Sequence, residues 1–267
     1  MKISVIIPAL NAGQSLEAAL TSVWNQTHQD YEIIVMDGGS TDGTRELLTK
    51  HNDRIKYWQS APDEGTTHAI NDGFKKCSGD LVMFLCADDQ VHDPDVFKNV
   101  IREFEEHPET QVLCATLKMV DPTGLVEPFL NPSNREDIRR QGSLHLPGAF
   151  FRHEVINQRP LSYDVDIAND YEMFAYLTQR TTLPIRVSPL VTVAFSLGGR
   201  TNNPKTDFKK INECFIVRRK YFGFWNSWYW YTWDMFIAIL RNLNFRPFTW
   251  ARKIRQRLKG KSTAYNS

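Results

Sequence analysis

The sequence predicts an α/β fold, with a mostly parallel sheet in its first half and helices on both faces. Three observations carry this. Short apolar runs recur at residues 3–7, 31–37, 55–59 and 81–85. Segments of helical periodicity separate them. Aspartates close two of the runs, Asp37 after the second and Asp88-Asp89 after the fourth. Strand alternating with helix favours parallel pairing, and ligands of such sheets bind beyond the carboxyl ends of the strands.

The elements follow in order. Residues 3–7 form a β-branched strand ending at Pro8. In "SLEAALTSVWN" (15–25), Leu16, Ala19, Leu20, Val23 and Trp24 share a helix face, with Ser15 in the N-cap position. "YEIIVMD" (31–37) is the second strand, closed by Gly38-Gly39, and "STDGTRELL" is a loop entering a helix. "IKYWQ" (55–59) is a weaker third strand, residues 66–76 are helical, and "LVMFL" (81–85) is the fourth strand. "DPDVFKNVIREFEEH" (93–107) reads as a helix with an Asp-Pro start. The pattern then changes. Strand-like pieces occupy 111–120, 148–155 and 185–195, "DPTG" (121–124) is a turn, and "NDYEMFAYLTQR" (169–180) is a helix with Asn169 near its N-cap. There is no internal repeat. The expected organisation is one domain over 1–220, with halves at 1–110 and 111–220, followed by a tail over 221–267.

Bulk composition excludes several classes. With 267 residues, 42% hydrophobic and 24% charged, the chain can bury a sizeable core. A formal net charge of +1 does not indicate a nucleic-acid binder. Cys77, Cys86, Cys114 and Cys214 form no CxxC pair. That favours reduced thiols in a reducing compartment, here expected to be the cytoplasm, over a disulfide or zinc framework. The apolar part of "MKISVIIPAL" is too short for a signal peptide, and no uninterrupted apolar window is long enough to span a membrane.

Asp88 and Asp89 raise a physical question, because adjacent carboxylates at a buried strand end repel. Side chains alternate along a strand, so two that act together must lie just past its end. A hard divalent cation would offset the repulsion, and two carboxylates with phosphate and water oxygens suit Mg2+ or Mn2+. A pair that only caps the following loop reads equally well from these residues alone. In "MDGGSTDGT", the glycines permit a tight turn and close approach to a ligand, and Asp37 could accept hydrogen bonds from a base or ribose. His145 and His153 have no ligand-like spacing and read as loop or surface histidines.

Five segments in order resemble the motifs of the family 2 glycosyltransferases. They are "SVIIPALNAG", "EIIVMDGGSTDGT" (32–44), "SAPDEGTTHAINDGF" (60–74), "SGDLVMFLCADD" (78–89) and "NDYEMFAYL" (169–177). Order and spacing together make the match far more specific than any one motif. The resemblance implies the GT-A fold, a Rossmann-like nucleotide-sugar half joined to an acceptor half, and inverting transfer from a nucleotide sugar. It implies that Pro8 and Ala9 line a base pocket, Asp37 bonds a base such as uracil, and Asp63 and Asn71 sit near the ribose or sugar. Asp88 would contact ribose or metal, Asp89 would hold the metal (Mn2+ or Mg2+) against the diphosphate, and Asp170 would be the general base. Arg200 in "LGGRTNN" (197–203) could pair with phosphate or be a solvated loop residue. The chain departs from the usual pattern at Leu10, at Leu146-Pro147, and at Cys86, where many members carry Asp or Asn.

Two other readings stay open: a non-catalytic nucleotide-binding module, which the intact acids argue against, and a nucleotidyltransferase. The latter needs a basic, glycine-rich triphosphate loop, and "PALNAGQS" lacks Lys and Arg. The tail pairs the aromatic run "FGFWNSWYWYTWDMFIAIL" (222–240) with the basic run "RNLNFRPFTWARKIRQRLKGK" (241–261). This suits an element at the inner face of the cytoplasmic membrane and a glycan or lipid-linked acceptor. A helix packed on the core or on a second subunit is the alternative.

Overall fold

The computed structural model describes residues 1–121, 145–180, 183–197 and 206–242. An eight-stranded sheet runs in the order β3-β2-β1-β4-β7-β6-β8-β5. The strands are β1 (Ile3–Ala9), β2 (Tyr31–Asp37), β3 (Tyr57–Ser60), β4 (Leu81–Phe84), β5 (Gln90–Val91), β6 (Val112–Val120), β7 (Ala149–Arg152) and β8 (Ile185–Ser196). β1 pairs in parallel with β2 and β4, and β2 with β3. β7 is antiparallel to β4 and β6, while β6 and β8 are parallel. The helices are α1 (Leu16–Trp24), α2 (Thr44–Lys50), α3 (Thr66–Phe74), α4 (Val96–Glu106), α5 (His153–Gln158), α6 (Asn169–Gln179), α7 (Asp207–Phe222) and α8 (Phe224–Asn242).

The unbroken apolar character of β2 follows from cover on both faces. Ile33 and Val35 join Leu16, Leu20, Phe97 and Phe104 in the main core, whereas Ile34 and Met36 pack with Ala69 of α3. Gly73 makes this second contact possible. A Cβ there would lie 2.8 Å from Ile6 Cγ2 and 3.0 Å from Met36 Cγ. The helix can therefore rest on the sheet only where a side chain is missing.

Three sequence expectations are corrected. Pro8 lies inside β1 rather than ending it. Pairing with β4 stops at Ile6↔Phe84, and Leu85 N–H bonds Ile6 O, so the side Pro8 shares with Ile6 has no ladder to interrupt. Residues 148–155 are not one strand. β7 ends at Arg152, opposite Leu81 at the start of β4; His153 N–H makes one further bond, to Asp80 O at 2.9 Å, and α5 begins there. α4 begins at Val96, not at Asp93-Pro94. The carbonyls of Asp93 and Pro94 accept bonds from Gln26 Nε2 (2.8 Å) and Thr27 N–H (2.8 Å), so both residues tie down the end of α1. Pro189 sits in β8 where the register with β6 slips between Cys114 and Thr116, an irregularity that tolerates a missing donor.

Two compact units emerge, Met1–Asn203 and Pro204–Ser267. The division precedes α7, whereas the sequence placed the tail from residue 221. The second unit is a helical hairpin turning at Gly223 (φ 86°). Phe215 packs on Trp228 and Tyr231, and Arg218 pairs with Asp234 at 2.7 Å. No helix among the described residues is long and apolar enough to cross a membrane. "DPTG" and Arg200 lie at or within segments outside the described residues.

Candidate active site

Strand order reverses direction at β1, which is flanked by β2 on one side and β4 on the other. The crevice above such a switch point is where ligands of open sheets bind. Ala9, Asp37, Ser60 and residues 85–89 all stand at its rim. Asp37 and the β4 end are each one strand from β1, so they lie about 10 Å apart.

Two loops build the β1–β2 side. Asn11 adopts a left-handed backbone (φ 50°), its N–H donates to Ser40 Oγ (2.7 Å), and its Oδ1 accepts from Thr41 N–H (3.0 Å). Gly13 N–H donates to Asp42 Oδ2 at 2.9 Å. Pro8 is half-buried, Ala9 buried and Leu10 exposed. Asp37 is buried; it accepts from Ser40 N–H (3.0 Å), from Ser60 Oγ (2.6 Å) and from the Ser40 hydroxyl. Asp63 is exposed beside it. A Cβ on Gly38 would come within 3.2 Å of Asp63 Oδ1, which also accepts from Gly65 N–H at 2.9 Å. Pro8, Ala9, Asp37 and Asp63 thus share one rim.

Asn71 has different work. Its Nδ2 donates to Leu161 O and its Oδ1 accepts from Leu161 N–H, both at 2.9 Å, and it is buried. Through these two bonds Asn71 ties α3 to the segment before α6. Asn169 adds a second tie through Nδ2 to Thr67 Oγ1 at 3.2 Å. These ties bring the start of α6 toward the start of α3.

The β4 end separates the two aspartates. A turn closed by Asp89 N–H on Cys86 O (3.0 Å) leaves Asp88 exposed and Asp89 only 1% exposed. Ser196 N–H, at the end of β8, holds Asp89 Oδ1 at 2.8 Å. Asp89 Oδ2 is buried with no hydrogen-bond partner. Burial raises the Asp89 carboxyl to about 8, with the Asp88 charge adding to the rise and the Ser196 N–H offsetting part of it. Burial, and then the charges of Asp89, Asp88 and Asp170, push the Cys86 thiol well above its ordinary value. Cys86, Asp88 and Asp89 bring ligand atoms within 4.8 Å of one another. An orphaned buried carboxylate oxygen within such a cluster fits a divalent cation.

Asp170 lies in the first turn of α6, where its Oδ1 accepts from Tyr171 N–H at 2.7 Å. Its Oδ2 is 3.6 Å from His145 Nδ1. The sequence reads His145 as a loop or surface histidine, because its partner is 25 residues away and no spacing rule links them. Nor could sequence reveal Ser40, Ser60 and Ser196 as the groups that hold the acids.

The sequence model of glycosyl transferase family 2 matches residues 4–162, more than half of the chain. The chain belongs to that family. An uncharacterized glycosyltransferase of Nostoc sp. is 40% identical over 109 residues, covering 39% of this chain and 33% of the relative. The Campylobacter jejuni GalNAc(5)-diNAcBac-PP-undecaprenol beta-1,3-glucosyltransferase is 40% identical over 94 residues, covering 34% and 30%. The match thus spans about a third of the length of each of these relatives. Among solved structures, S. aureus TarS 1–349 in complex with UDP-GlcNAc superposes with a TM-score of 0.63 at 19% identity, over 81% of this chain and 65% of that one. The mannosyltransferase PcManGT from Pyrobaculum calidifontis, in complex with GDP-Man and Mn2+, gives 0.60 at 18%, over 80% and 62%. These likenesses show the GT-A fold for this family 2 member.

Proposed function

We propose that this glycosyl transferase family 2 protein moves a sugar, with inversion, from a UDP-sugar to a glycan or lipid-linked acceptor. What supports the reading is the Cys86–Asp88–Asp89 cluster just past β4, with the Asp170 charge near enough to act on the Cys86 thiol. An acceptor hydroxyl attacks the anomeric carbon, its oxygen bonds that carbon, and the bond to the diphosphate breaks on the opposite face. Asp170 takes the hydroxyl proton. Asp37, held by Ser40 and Ser60, faces the base, with Pro8 and Ala9 beside it; Asp63 faces the ribose or sugar. Asp88 and Asp89 would hold Mn2+ or Mg2+, and a divalent cation there would supply charge stabilisation for the diphosphate. The UDP-GlcNAc bound by TarS and the undecaprenol-linked naming of the Campylobacter relative support the substrate classes.

The test is donor turnover with Mn2+ or Mg2+, with nucleoside diphosphate release and the product's anomeric configuration as readouts. Asp89→Asn should remove metal-dependent donor binding in calorimetry. A retained anomer, or wild-type binding by Asp89→Asn, contradicts the reading.

The second unit supports peripheral contact with an anionic lipid surface. Trp225, Tyr229, Trp233, Phe236 and Ile239 recur at helical spacing along α8 and are all exposed. Trp and Tyr on one helix face beside a stretch holding Arg and Lys but no acid (241–261) match an interfacial element. Replacing Trp225, Tyr229 and Trp233 together with Ser should weaken sedimentation with phosphatidylglycerol vesicles by more than about tenfold. Unchanged binding, or a concentration-dependent dimer that the substitutions abolish, overturns this assignment.

A further inference from the structure

We propose that Cys86 is itself a ligand of the cation. As a thiolate beside Asp88 and Asp89, it makes the site prefer Mn2+, Co2+ or Zn2+ to Mg2+. The inference rests on the metal-dependent reading above and deepens it.

The geometry points this way in three respects. First, the Cys86 sulfur and an oxygen from each of Asp88 and Asp89 lie within 4.8 Å of one another. Metal–sulfur and metal–oxygen bonds are about 2.3 and 2.0–2.2 Å, so two ligands of one ion can be at most about 4.5 Å apart, and small side-chain rotations bring this set into range. Second, Asp89 is 1% exposed, its Oδ1 is held by Ser196 N–H, and its Oδ2 has no hydrogen-bond partner. That oxygen is a pre-oriented acceptor for a cation. Third, the turn bond from Asp89 N–H to Cys86 O at 3.0 Å sets the spacing of the two side chains through the backbone. The other thiols lie elsewhere. Cys77 contacts Gly73 O (3.6 Å), Cys114 is buried in β6, and Cys214 is on α7.

The chemistry then selects the ion. Mg2+ demands oxygen ligands in near-ideal octahedral geometry and sheds water reluctantly. Thiolate is soft and suits later, more thiophilic divalent ions. On loading, the sulfur–hydrogen bond breaks, the proton passes to water and a metal–sulfur bond forms. No electron changes hands.

The full chain is titrated with Co2+, alone and with UDP, recording calorimetric heat and near-ultraviolet absorption. The expected result is a sulfur-to-cobalt charge-transfer band saturating at one equivalent. It should disappear in Cys86→Ser and Cys86→Ala and persist in Cys77→Ser. Cys86→Asp should raise Mg2+ affinity relative to Mn2+ by about tenfold or more, since it restores an all-oxygen site. Circular dichroism of each variant establishes that it is folded. Co2+ binding without the band, or a band that survives in folded Cys86→Ser or Cys86→Ala, overturns the role of Cys86 and leaves the metal reading intact. An absence of heat with every cation, with and without UDP, overturns both.

Discussion

If Asp170 is the proposed base, replacing it with Asn should lower sugar transfer by roughly 10²–10⁴-fold while leaving donor affinity unchanged. The substitution is nearly isosteric, and the new amide oxygen can still accept from Tyr171 N–H, now 2.7 Å from Asp170 Oδ1. The start of α6 therefore survives. What is lost is the ability to take a proton, which a neutral amide lacks at any working pH. The ties from Asn169 to Thr67 and from Asn71 to Leu161 do not involve Asp170, so the crevice keeps its shape. The measurement is steady-state transfer alongside calorimetric donor binding. Wild-type turnover by folded Asp170→Asn removes Asp170 from the reaction. Loss of donor binding instead makes it a donor contact.

The second large effect is on stability, far from the crevice. Glu32, at the start of β2, is 4% exposed and fully bonded. Its Oε1 accepts from Ser4 Oγ (2.7 Å) and Ser78 N–H (2.5 Å), and its Oε2 from Lys2 Nζ (2.5 Å) and Ser78 Oγ (2.8 Å). These bonds lace β1, β2 and the entry to β4 together at the end of the sheet opposite the site. Burial pushes the Glu32 carboxyl up, but Lys2, Ser4 and Ser78 outweigh it and bring it to about 2. Against an ordinary value of 4.5, that corresponds to about 3 kcal/mol. The folded-state value is the lower one, so this stabilisation is present above about pH 4.5 and is lost as pH falls toward 2. Glu32→Gln puts an amide donor among donors and removes the partner of Lys2. We expect a loss of about 3 kcal/mol in urea denaturation at pH 7, and a flatter dependence of stability on pH between 2 and 4.5. A variant as stable as the parent, with the same acid slope, would falsify this account.

Much of the first half of the fold is legible in the chain because its signals are local. β2 coincides with the apolar run at 31–37, and α1 with the periodic stretch after Ser15. Asp37 and Asp88-Asp89 stand at strand ends, as their flanking residues imply. Where local signals mislead, a long-range partner is responsible. Residues 153–158 become helix where the β7 pairing with β4 ends at Leu81, and Pro94 stays out of α4 because its carbonyl holds Thr27. The bonds from Asn71 to Leu161, 90 residues on, have no signal in the chain around either residue.

By itself, then, the amino-acid sequence determined the strand–helix alternation, the family, and which carboxylates stand at the strand ends; the strand order that reverses at β1 came from the structure. Periodicity and strand-end acids need only neighbours in the chain. The tertiary structure decided how those carboxylates differ. It exposes Asp88 and buries Asp89 under Ser196 N–H, brings His145 to Asp170, and sets the Cys86 sulfur among the oxygens. Burial, orphaned lone pairs and ligand distances depend on groups tens of residues away in the chain, and these meet only when the sheet closes.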